Sequence, residues 1–408
     1  MNLAQKAILT LGALVATAAT ASAADADWTN RFSVSGQLDV RMERDMNTFY
    51  TSPSGGATGT GDDLYTRVRA RLLMGMQVND VLKANVRLAT GRNQYTTWAT
   101  LGQASDAQGG TAGFSERKDF MLDYAYLSYT GFQGLEVQLG KNPIMFWTPG
   151  GNEMVWNLAN STEGLNAVWK GDMGSLLPWA VFNYSTVLNK VNGTPTQAGA
   201  TDGADINLLA LQLGLTWKTD GQWATLALGN YEYNNIQGAP GSVTGQTSPV
   251  TGIAGNGPSM GNSVDGGGAF LNNYNMIDAG VEYGRNFGAL PVKVYGEYVQ
   301  NTMVSTNNVG TIGGVTVGSL ALSKMAEVGS WNAMATYRDV RADATVGAYG
   351  DIAFLNGSTG VFGAEYAANY QAWSNAAVGV VYDNGRKNIS SNGGYTYEIY
   401  MLTMYSKF

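Results

Sequence analysis

Neither cysteine nor histidine occurs anywhere in the 408 residues. Without cysteine there is no disulfide framework and no thiolate chemistry. Without either residue there is no histidine general base, no Ser-His or Cys-His nucleophile pair and no zinc site of the usual ligands. Barrel-borne lipases and proteases that work through an active-site histidine are thereby excluded. Charge is scarce as well: Asp, Glu, Lys and Arg make up 13% of the chain, about half the globular average. The net charge is −7 and no basic patch stands out, which argues against a nucleic-acid partner. Long apolar runs are the third absence. Past residue 23 no stretch has the ~18–20 consecutive apolar residues that a spanning helix needs. Any membrane crossing must therefore be made by strands.

What is abundant fits strands and turns: 54 Gly, 22 Tyr and 10 Trp. At the N-terminus Lys6 supplies a positive start, Ala7 to Thr20 an apolar stretch, and Ala21-Ser22-Ala23 a small-x-small cleavage site. This reads as an export signal peptide over 1–23, with residues 24–408 as the mature chain.

From Asn30 onward the recurring pattern is alternation of period two bounded by Gly, Asn, Asp or Pro. Phe32, Val34, Leu38, Val40 and Met42 share one face of the first segment, and Ser33, Ser35, Gln37, Asp39, Arg41 and Glu43 share the other. The next places Val68, Ala70, Leu72, Met74, Met76 and Val78 opposite Arg67, Arg69, Arg71, Gly75 and Gln77, with Leu73 the misfit. Beyond Asn79-Asp80, Leu82, Ala84, Val86 and Leu88 alternate with Lys83, Asn85 and Arg87. Weaker candidates follow at 118–129, 134–141, 164–171, 178–187, 205–218, 222–233, 274–284, 291–301, 315–325, 329–338, 361–370, 374–382 and 395–408. That makes about sixteen strands of about ten residues, the length that crosses a bilayer when tilted.

Connections alternate in length. Short ones fall at Asn79-Asp80, 131–134, 219–221 and 327–330, and long Gly/Ser/Thr/Asn-rich ones at 47–63, 92–117, 142–163, 188–204, 234–273 and 302–314. The expected fold is an all-β, transmembrane antiparallel barrel with short periplasmic turns and long extracellular loops. Phe32, Tyr65, Tyr129, Trp169, Trp179, Trp217, Tyr283, Tyr298, Tyr337 and Tyr382 fall near strand ends, where interfacial girdles would place them.

The final stretch YTYEIYMLTMYSKF resembles the terminal strand of Gram-negative outer-membrane barrels, whose last residue, here Phe408, serves in recognition by the barrel-assembly machinery. Tyr400, Leu402 and Met404 share its face, while Ser406 departs from the pattern. Four stretches resemble the putative porins of Gram-negative bacteria: RVRARLLMGMQVNDVLKANVRLATG at 67–91, DYAYLSYTGFQGLEVQLGKNPIMFW at 123–147, MVWNLANSTEGLNAVW at 154–169 and VGSWNAMATYRDVRADATVGAYGDIAFLNGSTGVFGAEYA at 328–367. The middle, 188–320, carries only generic strands and loops. The resemblance implies a passive channel in the outer membrane for ions and small hydrophilic solutes, with no cofactor, and by likeness to general porins a homotrimer.

If the polar faces line a lumen, charged groups at mid-strand set its selectivity. The cations are Arg67, Arg69, Arg71 and Arg87, with Arg41 and Lys83 nearby; the carboxylates are Asp39 and Glu43 before the row and Asp119 and Asp123 after it. General porins commonly fold their third long loop into the barrel as a constriction, the alternative being a loop that folds over the barrel mouth or contacts a neighbouring subunit. The corresponding stretch here, 142–164, carries Phe146, Trp147, Met154 and Trp156 and would set Glu153 or Glu163 across from the arginines. No motif suggests an enzyme. The competing reading is a structural or adhesive barrel with a narrow or plugged lumen. Asp202 and Asp205 in a Gly-rich loop are read as solvated carboxylates, not a calcium site.

Overall fold

The computed structural model describes residues 28–51, 60–91, 96–102, 117–188, 205–239, 260–265, 268–322, 327–351, 353–390 and 393–408. The expected signal peptide, Asp202 and parts of the long connections lie outside them.

A short 3-10 turn, Trp28–Arg31, leads into β1 Phe32–Thr51, β2 Thr60–Asn79, β3 Leu82–Thr90, β4 Ala99–Thr100, β5 Phe120–Phe132 and β6 Leu135–Pro143. The chain continues through β7 Ser161–Lys170, β8 Leu176–Leu188, β9 Ile206–Thr219, β10 Gln222–Asn234, β11 Tyr274–Phe287 and β12 Leu290–Asn301. It ends with β13 Val309–Gly318, β14 Trp331–Val340, β15 Val361–Trp373, β16 Ala376–Ser390 and β17 Gly393–Lys407. Apart from the two-residue β4, these are sixteen strands, each antiparallel to its sequence neighbours. β1 pairs with β2 on one side and β17 on the other, so the sheet closes and no edge is left.

The alternation now has a direction. On β1 the apolar set faces outward, Val34 being 55% exposed, while Asp39 and Glu43 point inward and are buried. Leu211, Leu213 and Leu215 of β9, Leu226 and Leu228 of β10, and Leu402 and Met404 of β17 continue the outward apolar surface. Polar residues inside and hydrocarbon outside is the reverse of a water-soluble sandwich, where so large an apolar surface would drive association. Inside, Asn183, Gln212, Gln371 and Thr403 are buried.

One end of the barrel carries tight turns. At Asn79 the side-chain Oδ1 accepts from the backbone N–H of Val81 and of Leu82, an Asx turn that reverses the chain through Asp80 and Val81. Phe132–Leu135, Thr219–Gln222, Phe287–Leu290 and Trp373–Ala376 are similarly brief. The expected strand at 315–325 and loop at 302–314 are wrong: β13 lies at Val309–Gly318, and the turn side holds a connection from 319 to 330. Gly310, Gly313 and Gly314 dilute the apolar alternation there, and the ladder with β12 recovers the strand. Two residues assigned to the girdles face inward, Tyr65 beside the arginines and Trp179 over Gly214. Trp169, Tyr283, Tyr298 and Tyr337 do face outward.

Two connections on the other end turn back into the barrel. Residues 144–160 and 341–360 bring Phe146, Met154, Trp156, Ala344, Val346, Phe354 and Leu355 into one apolar cluster with Tyr231, Val299 and Ile312 of the inner wall. The second was not recognised as a loop from sequence. Their apolar partners on the wall run from Val168 of β7 round to Tyr397 of β17, which leaves the arginine-bearing β1–β3 wall facing them.

Candidate functional site

The arginine wall is built by register. Asp39 pairs with Arg69, Arg41 with Arg67 and Glu43 with Tyr65 across β1 and β2, and Leu73 with Arg87 across β2 and β3. All share the inner face, so five guanidiniums occupy three adjacent strands. Like charges this close need compensation. Arg69 meets Asp39 at 2.6 Å, Arg67 and Arg41 share Glu43 at 3.2 and 3.7 Å, and Arg87 meets Asp123 at 2.5 Å. Asp39, Glu43 and Asp123 therefore sit within the same wall, interleaved with the cations. Asp123 reaches Arg87 because β5 bulges there, inserting a residue between the Leu88 and Arg87 pairs. Asp119 lies ahead of β5, outside this ladder. Lys83 is exposed at the tight-turn end, beside Gly75.

Aromatic rings complete the wall. Trp98 lies between two arginines, its ring 4.3 Å from the Arg41 guanidinium carbon and 4.4 Å from that of Arg69. Tyr65 lies under Arg67 and Tyr124 under Arg87, at 4.6 and 3.5 Å. Such contacts are worth about 0.5–2 kcal/mol each, more where water is excluded. Trp98 arrives on a stretch between β3 and β4 that leaves the ladder and returns to pair Ala99 with Val68. Thr97 Oγ1 accepts from Arg71, and Thr90 Oγ1 donates to the Thr97 carbonyl. Sequence reasoning missed Thr97 and Trp98, which it placed in a solvated loop; a lone tryptophan in a polar stretch was the available signal.

The first inward loop is clamped to β9 by a reciprocal pair: Trp147 N–H donates to Gln212 Oε1 at 2.8 Å, and Gln212 Nε2 donates to the Trp147 carbonyl at 2.9 Å. Gly150 N–H donates to Glu282 of β11. A Cβ on Gly150 would collide with the Tyr295 ring, and its φ of +69° favours glycine independently. Phe146 stacks on Trp156 at 4.9 Å, and Trp156 meets Tyr231 edge to face at 5.2 Å. The second loop is pinned by Arg338, which donates to Asp351 at 2.7 Å, reaches Glu365 at 3.4 Å and lies 4.0 Å above the Phe354 ring. The loops meet where Asn157 N–H donates to the Tyr349 carbonyl.

This places an acidic side across from the arginines. Glu153, on the first loop, accepts from Leu158 N–H and lies in electrostatic range of Arg69 and Arg71, with Asp351 and Arg338 its other charged neighbours. Burial, then the charge of Asp351, pushes its carboxyl up to about 8, with the arginines opposing. Glu365 lies within electrostatic range of Arg41, and Asp383 within range of Glu43. Glu163 is not on the loop: it belongs to β7, where it is exposed and bonded to Lys141 directly opposite on β6. The boundary assumed for the loop ran into the strand. Arg338, Asp351 and Glu365 were missed, since two of them sit on strands read only for apolar alternation.

The arrangement is a barrel interior narrowed by two loops, with five arginines interleaved with carboxylates on the β1–β3 wall and Glu153 and Asp351 beside Arg338 on the other side. Among solved structures, a triple mutant of the Rhodopseudomonas blastica porin is 11% identical, with 92% of this chain and 100% of that one covered and a TM-score of 0.44. OmpT of Vibrio cholerae lacking its loop L8, described as an outer membrane protein, is 11% identical over 91% of this chain and 99% of that one, with a TM-score of 0.45. No curated protein matches the chain. The family described as putative porin matches residues 45–258 and 271–408. With that match running over most of its length, the chain belongs to the putative porin family.

Proposed function

We propose that the protein is a water-filled channel of the Gram-negative outer membrane through which ions and small hydrophilic solutes diffuse passively. The observation that carries this reading is the facing of charge across a narrowed lumen: Arg41, Arg67, Arg69, Arg71 and Arg87 on the β1–β3 wall, with Asp351 on the second loop opposite and Glu153 on the first adding its charge as pH rises through about 8. Opposed rows of fixed charge in a low-dielectric bore order water and orient dipolar solutes, which discriminates among permeants without a tight site. The outward Leu, Val and Met surface is the face that lipid would cover. Phe408 lies on that face, with its backbone paired to Gly36 at the barrel seam, where the assembly machinery would read it. A leader over 1–23 would direct export, and trimeric association is the expected assembly. Nothing in this scheme calls for catalysis or a cofactor.

The competing reading, a structural or adhesive barrel with a plugged bore, draws on the two loops folded inside. Planar-bilayer recording of the purified protein separates them. Stepwise conductance is expected, and its complete absence under all salts tested would reject the channel.

A further inference from the structure

We infer that Trp147, Trp179 and Trp223 form an aromatic track on the lumenal wall for an uncharged cyclic polyol, a mono- or disaccharide, running from the narrowing toward the tight-turn mouth. This rests on the channel reading and adds a substrate class to it.

The track is built on glycine. Gly214 of β9 follows the buried Gln212 on the inner face, and Gly280 and Gly284 of β11 follow the buried Asp278 there. In each case an indole occupies the space where a Cβ would stand: Trp179 at Gly214, Trp147 with Pro149 at Gly280, and Trp223 at Gly284. A Cβ on an inner-face residue points into the bore, so each ring lies on the lumenal side of the wall. All three are half-buried and keep part of their surface toward water. Trp147 and Trp179 stand 6.1 Å apart at the depth of the first loop. Gly284, under Trp223, is four residues beyond Gly280, about 14 Å along β11 toward the turn. Apolar rings facing a wetted bore are unfavourable unless something covers them. Toward the same end of the β1–β3 wall the inner face carries Ser33, Ser35, Gln77 and Asn85 instead.

The polar groups beside the rings favour hydroxyls over ions. Trp223 Nε1 donates to one Glu282 oxygen at 3.1 Å, and Lys293 Nζ lies 3.5 Å from the other, which also accepts from Gly150 N–H. Glu282 and Lys293 neutralise one another, yet their side chains are 12% and 25% exposed, leaving an acceptor and a donor within reach of a permeant. Lys218, opposite Trp223 in the ladder, adds a donor at the turn. A pyranose has the matching form, with a C–H face to lie on the electron-rich indoles and a rim of hydroxyls for the groups beside them.

The test is single-channel recording of the full-length protein in potassium chloride with glucose or maltose added, compared with sorbitol, an acyclic polyol, at matched bulk conductivity. Saturable block by the cyclic sugars beyond the sorbitol effect is expected. Trp223→Leu fills the space over Gly284 without an aromatic face and should raise the half-blocking concentration about tenfold, whereas Trp223→Phe should retain most of the block. Trp169→Leu, on the outer face, should leave it unchanged. Sugars that lower the current no more than sorbitol does overturn the track without any variant. Equal block in wild type and Trp223→Leu also overturns it, and so does a loss equal in the Leu and Phe variants, which would make Trp223 a packing residue only. Block by indole or adenosine with none by the sugars overturns the substrate class. All of these leave the channel standing, whereas a protein with no conductance overturns the channel reading beneath it.

Discussion

At the residue scale, Glu153 is a loop group whose charge state changes in the range where channels are assayed. Burial raises its carboxyl to about 8, so it gains charge only as pH rises through that value. Ionisation adds a negative charge facing Arg69 and Arg71, and the reversal potential in a salt gradient should move toward cation preference between about pH 7 and 9. Glu153→Gln should flatten that change; an unaltered pH profile in the variant would discount the residue. The same shift has a stability consequence. Between the ordinary carboxyl range and about 8 the folded state binds the extra proton, so the Glu153 contribution is greatest below that range and is lost as pH rises. Arg338 acts differently. Removing it with Arg338→Ala leaves Asp351 and Glu365 without their cation in a buried setting, a change that typically costs about 3–5 kcal/mol. Faster proteolysis within 341–360, with the barrel strands still protected, is the expected signature.

At the scale of the element, the strands were legible because a barrel wall obeys one simple rule. Each residue faces either lumen or exterior, and β1, β2 and β3 show that alternation in their own residues. The rule weakens where glycine replaces the side chains that would reveal it, as at Gly310 to Gly314 of β13. The inward loops follow no period at all. Phe146, Met154 and Trp156 marked the first as too apolar for open water, whereas the second hides Phe354 and Leu355 among Gly, Ala, Ser and Thr. Trp156→Ala should loosen the first loop by removing its contacts with Phe146 and Tyr231, a loss of about 3–5 kcal/mol by analogy with other buried aromatics. Since that loop narrows the bore, conductance and current noise should both rise; a quieter, smaller channel would contradict its placement.

At the scale of the whole molecule, the contest is between five lumenal arginines on β1–β3 and a chain whose net charge is −7. Total charge governs solubility and distant approach, while a pore selects by the charges that line its narrowest part. Neutralising Arg67, Arg69 or Arg71 singly to Ala should therefore shift the reversal potential toward cations, and unchanged selectivity in all three would sink the role given to the wall. The sequence by itself determined the faces of β1, β2 and β3, the absence of histidine and thiol chemistry, and the arginine spacing, because these depend on composition or on neighbours one or two residues apart. Only the tertiary structure decided that Trp98 lies between Arg41 and Arg69, that Glu153 faces the row while Glu163 does not, and that Arg71 is left to Thr97. Those relations join residues from different strands and loops, and closing the barrel is what brings them within reach of one another.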